Sequence, residues 1–256
     1  MAEETPVLTE QRGKVLLITL NRPEQRNSVN RDLAEALAAA LDRLDADPGL
    51  VVGVLTGNGK GFSAGMDLKA FLDGGMPNLP GRGFAGIVER GARKPLIAAV
   101  EGFALAGGLE IALSCDLVVA AKGARLGVPE VGVGLFAGAG ALLRLPRQLP
   151  YSLAMEMALT ADPITAERAY ELGMVNRLTE PGGAVDAAME LAERMTRNAP
   201  LGMAASKEII RECWGRTEAE FWAFQDTLLD SVFSSEDARE GASAFAEKRS
   251  PNWQGR

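Results

Sequence analysis

No histidine occurs anywhere in the 256 residues. That excludes Ser-His-Asp and Cys-His nucleophile systems and every His-ligated zinc site. Cysteine is almost as scarce. Cys115 and Cys213 are too few for a disulfide framework or a thiolate metal centre, and a reducing cytoplasm is the expected compartment. No apolar run approaches the roughly 18–20 residues needed to cross a bilayer. The opening segment MAEETPVLTEQRG is polar and acidic, without the apolar core of a signal peptide or the Arg/Ser bias of a transit peptide. Basic clusters are missing as well. With a net charge of −7 and a pI near 4.9, nucleic acid and anionic membrane are not expected partners. Acid–base chemistry near neutral pH therefore falls to Glu, Asp, Lys, Tyr or Cys, with carboxylates foremost.

What is present is an ordinary globular composition, 47% hydrophobic and 24% charged, in a length suited to one domain with at most a small appendage. Lys14–Leu20 reads as a strand stopped by the turn Asn21-Arg22-Pro23. Ser28 or Asn30 is placed to cap a helix carrying Leu33, Leu37, Leu41 and Leu44 at helical spacing, ended by Asp47-Pro48-Gly49. Val51–Thr56, Leu96–Val100 and Asp116–Ala120 read as buried strands, and the segments between them imply parallel pairing with right-handed crossovers. Gly74–Gly83 reads as a surface excursion or a flap over a site. From Tyr151 onward every segment has a helical pattern: Ile164–Leu172 with Thr165 as its cap, Val185–Arg197, Pro200–Trp214, Thr217–Phe233 and Glu236–Arg249. No internal repeat is visible. The fold class expected is α/β followed by a helical region.

The stretch Lys94–Glu130 carries the chemistry. A helix opening at Gly107-Gly108 leaves backbone N–H groups free to point at an anion. Glu110 lies in its first turn among Leu109, Ile111, Ala112 and Leu113. An acid there also complements the helix dipole, but a carboxylate in so apolar a helix is costly unless paired or used. Glu130, in GVPEV, is likewise the only charge in its surroundings. Alone it would be an ordinary loop acid; two such acids in a histidine-free chain favour an acid–base pair. The glycine-rich run from Gly57 to Gly65 matches neither a phosphate loop nor a dinucleotide fingerprint. It reads as a tight turn exposing N–H groups beside neighbouring strand ends. Trp214, Phe221, Trp222 and Phe224 are expected in the core or a subunit interface, while Lys207 and Lys248 sit on polar helix faces.

Taken together, Asn21-Arg22-Pro23, FSAGMDLK at 62–69, KPLIAAVEG at 94–102, AGGLEIALSCD at 106–116, Pro129-Glu130 and AFAEKRSP at 244–251 resemble the enoyl-CoA hydratase/isomerase (crotonase) family over nearly the whole chain. The ending EGASAFAEKRSPNWQGR looks closest to the carnitinyl-CoA dehydratase-like branch. The resemblance implies a spiral of ββα units over residues 1–195, with residues 196–256 forming a helical trimerisation region and the subunits assembling as a homotrimer or dimer of trimers. It implies an acyl-CoA thioester as substrate, with CoA part of that substrate and no separate cofactor or metal. By position the oxyanion hole would be the N–H groups of Met66 and Gly107, with Glu110 activating water and Glu130 exchanging the Cα proton. Ala64, Asp67 and Leu68 would line the CoA channel, and Phe245 and Lys248 would reach CoA from a neighbouring subunit. The family's Pro-Gly-x-Gly-Gly stretch is replaced here by Leu135–Gly140, so Phe136 is expected to reshape the acyl pocket. Hydration of a 2,3-enoyl-CoA is the activity implied. Isomerisation, carnitinyl-CoA dehydration or an idle CoA-binding scaffold are the alternatives.

Overall fold

Alternation along the strands decides how the chain is layered. The computed structural model describes residues 5–256. The chain opens with β1 (Val7–Arg12) and β2 (Val15–Leu20), joined through Gly13 at φ +61. Helix α1 (Arg31–Ala46) follows, with the Asn30 side chain accepting from Leu33 N–H as its cap. Its four leucines are fully buried, each contributing about 1.5–3 kcal/mol relative to exposure. Next come β3 (Val52–Gly57) and the short α2 (Leu68–Leu72). A hairpin of β4 (Asn78–Leu79) and β5 (Gly83–Phe84) occupies the Gly/Pro-rich excursion. Then β6 (Leu96–Val100), β7 (Phe103–Leu105) and α3 (Gly107–Ala112) form one unit. A second unit has β8 (Leu117–Ala121), β9 (Arg125–Gly127), a 3-10 turn at Pro129–Val133 and α4 (Ala141–Gln148). The rest is α5 (Tyr151–Thr160), β10 (Ile164–Thr165), α6 (Ala166–Glu171), β11 (Arg177–Thr179), α7 (Ala184–Met195), α8 (Pro200–Glu212), α9 (Glu218–Phe233) and α10 (Glu236–Glu247).

The large sheet has the order β1-β2-β3-β6-β8-β11; β1 pairs antiparallel with β2 and every other neighbour is parallel. Period-two alternation sends Leu16, Ile18 and Leu20 to the face covered by α1. Val15, Leu17, Val54, Ile97 and Val119 go to the opposite face, against Ala188 and Ala192 of α7. Both faces are therefore buried, as parallel sheets require. A small second sheet has the order β10-β9-β7, and a bridge between Ser63 and Ala104 extends it by one more segment.

These two sheets reveal a repeat that the sequence hides. Three times, a strand of the large sheet (β3, β6, β8) is followed by a segment of the small sheet (Ser63, β7, β9), after which the chain turns into a helix or 3-10 turn. Met66, Gly107 and Glu130 occupy equivalent places, just past the second segment of each unit. The parallel register sets them side by side at the carboxyl ends of adjacent strands, where open α/β sheets place their ligand sites.

Two expectations need correction. The region after Tyr151 is not purely helical: β10 and β11 extend the two sheets, and at two and three residues they are too short to show alternation. Of the two places expected for Trp214 and Trp222, core or subunit interface, their exposure of more than half rules out only the core of this chain. Lys207 is not on a polar face. Its side chain is 9% exposed, pairs with Asp116 at 2.7 Å, and donates to the carbonyls of Ala92 and Lys94 at 2.8 Å. The polar face of α8 turns inward at this point because the start of β8 supplies a half-buried carboxylate.

Candidate active site

The first loop of the site is knitted by Asn27, which is fully buried with φ +53. Its side chain donates to the carbonyls of Asn58 and Gly61 and accepts from Arg22 N–H. Ser63 Oγ donates to Asn27 O and accepts from Gly65 N–H. On the next stretch, Val29 N–H donates to Gly65 O at 2.8 Å and Asp67 N–H donates to Val29 O at 2.9 Å. These two bonds use the groups on either side of Met66, so Met66's own N–H faces away from Val29.

The second loop meets the first at van der Waals range. A Cβ on Gly65, whose φ is +94, would stand 2.7 Å from the Gly107 nitrogen. Gly107 opens α3, so its N–H has no acceptor within the helix. Its own Cα faces the Phe84 ring, where a Cβ would come within 2.6 Å, and a Cβ on Gly108 would come within 2.1 Å of Ser63 O. The preceding residue, Ala106, is held at φ +51 and ψ −131, a conformation costly for a residue with a side chain. Its N–H donates to Gly127 O, which ties the strained residue to β9. Two N–H groups are thus presented from adjacent loops of a rigid frame.

Glu110 is 3% exposed. Its Oε1 accepts from Ala139 N–H at 2.7 Å and Ala141 N–H at 3.0 Å. Burial raises its pKa, and the two N–H donors and nearby Arg144 oppose the rise. Glu130 differs. Its Oε2 is buried without a hydrogen-bond partner, and burial, reinforced by the negative charge of Glu110, pushes its pKa from 4.5 to about 7. One carboxylate is thus solvated by fixed dipoles while the other holds a proton near neutrality, a division suited to paired acid–base work. Among the described residues no three His, Cys, Asp or Glu side chains gather as a metal site, and no helix is long and apolar enough to cross a membrane.

The structure brings Met66, Gly107, Glu110 and Glu130 to one place. Ala64 lies half-buried beside them, its N–H donating to Arg26 O. Leu68 is exposed at the start of α2. The Asp67 carboxylate caps α2 through Lys69 and Ala70 N–H and pairs with Arg22 at 3.0 Å. Phe136 is 72% exposed and lines an apolar cavity of about 320 Å³ together with Val128, Val131 and Ala137, the residues that flank Glu130 and the Glu110-binding loop. Phe245 stands free of the chain's own core, 88% exposed on α10, and Lys248 ends that helix at φ +54. Sequence reasoning passed over Arg144, whose guanidinium lies beside Glu110. The signal was present, since Arg144 is the lone charge in Leu142-Leu143-Arg144-Leu145.

Comparison with known proteins gives concordant results. A family model described as enoyl-CoA hydratase/isomerase matches residues 10–256. The chain is 42% identical to enoyl-CoA hydratase EchA19 of Mycobacterium tuberculosis, covering 97% of this chain and 96% of that protein. It is also 42% identical to carnitinyl-CoA dehydratase of Salmonella paratyphi B, covering 95% and 96%. The crystal structure of enoyl-CoA hydratase EchA1 from Mycobacterium marinum superposes with a TM-score of 0.96 at 57% identity, covering 99% of this chain and 100% of that one.

Proposed function

Because this chain belongs to the enoyl-CoA hydratase/isomerase family, we propose that it adds water reversibly across the 2,3 double bond of an acyl-CoA thioester. The observation that carries this reading is the pairing of two unlike carboxylates, one dipole-solvated and one raised to about 7, beside two unused N–H groups. The thioester oxygen accepts from Met66 and Gly107 N–H. As charge develops on it, each donor contributes about 10²–10³ in rate. Glu110 takes a proton from water as its oxygen bonds to Cβ, and Glu130 delivers its proton to Cα, contributing about 10²–10⁴ per positioned group. The carbon skeleton gains one H and one OH, and proton exchange with solvent resets the two acids. CoA is part of the substrate, and the reaction draws on no separate cofactor.

Ala64, Asp67 and Leu68 line the CoA channel in this reading, and the apolar cavity at Phe136 receives the acyl chain. Phe245 and Lys248 act on a neighbouring subunit's CoA. The exposed Trp214, Trp222, Phe233 and Phe245 of the 196–256 region support burial against other copies in a homotrimer or dimer of trimers, working in the cytoplasm. Dehydration of a carnitinyl-CoA-type substrate is the second reading, favoured by the 42% identity to a dehydratase of that name. Isomerisation needs only one proton shuttle and leaves one of the two acids idle.

Loss of conjugated-enoyl absorbance with crotonyl-CoA and a bulkier analogue tests the proposal. Glu110→Gln and Glu130→Gln are each expected to remove most hydration while keeping CoA-ester affinity. Tight CoA-ester binding with no loss of chromophore from either substrate would sink the hydratase reading.

A further inference from the structure

Glu110 draws both its hydrogen bonds from a loop. Ala139 and Ala141 N–H lie on either side of Gly140, which has φ +100 and caps α4 without a side-chain bond. A left-handed glycine turn has little preference of its own for a single shape. Arg144, one turn into α4, lies across it. Its Nη1 donates to Ala139 O at 3.4 Å and its Nη2 to Val88 O at 2.5 Å. A Cβ on Gly140 would stand 2.2 Å from Arg144 Nη1, so the guanidinium rests directly on the turn's backbone.

We propose that Arg144 is a positioning residue: its forked guanidinium ties the 139–141 turn to the Val88 carbonyl, so that two N–H groups converge on Glu110 Oε1 and fix the direction of that carboxylate. This rests on the acid–base role proposed for Glu110. Arg144 acts through the turn rather than on substrate. The groups facing it are Arg211 of α8, Arg147 of its own helix, Glu110, and the Cys115 thiol, which burial pushes up to about 12 and keeps neutral. Two like charges and partial burial oppose its position, and two carbonyls with one carboxylate hold it there. Glu110 in turn faces Arg144 and Glu130.

Charge and shape separate in two variants. Arg144→Gln removes the cation and the fork, so the acid limb of kcat/KM moves to higher pH and kcat falls about 10–100-fold. Arg144→Lys keeps the charge but cannot span both carbonyls, so the limb stays near that of the unsubstituted enzyme while kcat still falls about tenfold. A carbon-13 NMR titration of glutamate-labelled protein, with Glu110 assigned by its loss in Glu110→Gln, follows the same shift without turnover. An unmoved Glu110 titration together with full kcat in Arg144→Gln would overturn the proposal. If that variant does not fold, full kcat in Arg144→Lys overturns it instead. Failure of the unsubstituted protein to hydrate any enoyl-CoA would refute the functional reading alone, and the Glu110 carboxyl resonance in Arg144→Lys would then decide for Arg144: a displaced resonance despite the retained charge upholds the fork, and an unchanged one rejects it.

Discussion

Glu130→Gln is expected to make the protein more stable at pH 8 than the unsubstituted chain, though not at pH 4. The folded-state pKa of Glu130 is raised from 4.5 to about 7 by burial, helped by Glu110. A carboxyl that holds its proton more tightly when folded loses stability as pH rises through that window. At about 1.4 kcal/mol per pH unit, the difference corresponds to about 3 kcal/mol. Glu130 remains partly accessible, and solvent screening reduces this to about 1–2 kcal/mol. Near pH 4 the acid is protonated in the folded chain and largely so in the unfolded one, and it is close to the amide in shape, so the two proteins should match. Urea unfolding at equal protomer concentration, repeated from about pH 4 to pH 8, reads the difference directly. Parallel stability curves for the two proteins would refute the assignment of a raised pKa to Glu130, and with it the division of labour between the two acids.

Three further outcomes follow from the packing. Lys207→Met leaves the half-buried Asp116 with only Arg211 and the Leu96 N–H as partners; a loss of about 2–3 kcal/mol should lower the melting midpoint by roughly 5–10 °C, and an unchanged midpoint would show the pair to be energetically neutral. Gly108→Ala places a methyl group 2.1 Å from Ser63 O, a backbone atom that cannot swing aside; kcat should fall at least about 100-fold with unaltered circular dichroism, and near-normal kcat would contradict the two-loop arrangement. Phe136→Ala opens the cavity between the Pro129–Val133 turn and α5; the kcat/KM ratio of a bulky to a short enoyl-CoA should rise about tenfold, and a constant ratio would remove Phe136 from acyl selection.

The long elements were legible because their patterns are long. Four leucines at helical spacing announce α1, with Asn30 rather than Ser28 as its cap, and Leu96–Val100 is a strand with the bounds its apolar run suggests. Glu110 and Glu130 stood out as solitary charges in apolar sequence, and both are buried or half-buried beside one another. Other features depend on partners far along the chain. β1 buries only Val7, so its sequence shows no alternation, and it exists because β2 offers an edge. β7, β9, β10 and β11 span two or three residues each and are defined by their neighbours. The threefold repeat lies in the path of the backbone, and its three turns carry the unlike residues Met66, Gly107 and Glu130. Lys207 looks like any helix-surface lysine until Asp116, far away in sequence, comes to meet it.

The order of strands in the large sheet rises without interruption, β1-β2-β3-β6-β8-β11. A chain emerging from the ribosome therefore always adds its newest strand to an edge that has already been made, and domains built this way consolidate from the N-terminus. Met66, Gly107 and Glu130 leave the exit tunnel in that order, each as the strand ahead of it docks. Until β8 arrives, β6 is a fully apolar open edge, Leu96–Val100, the kind of edge that recruits other chains. Three-residue β11 closes the series by leaving too little edge to extend. The time between emergence of β6 and emergence of β8 is thus the time for which the β6 edge stands open, and slower synthesis during it lengthens the exposure.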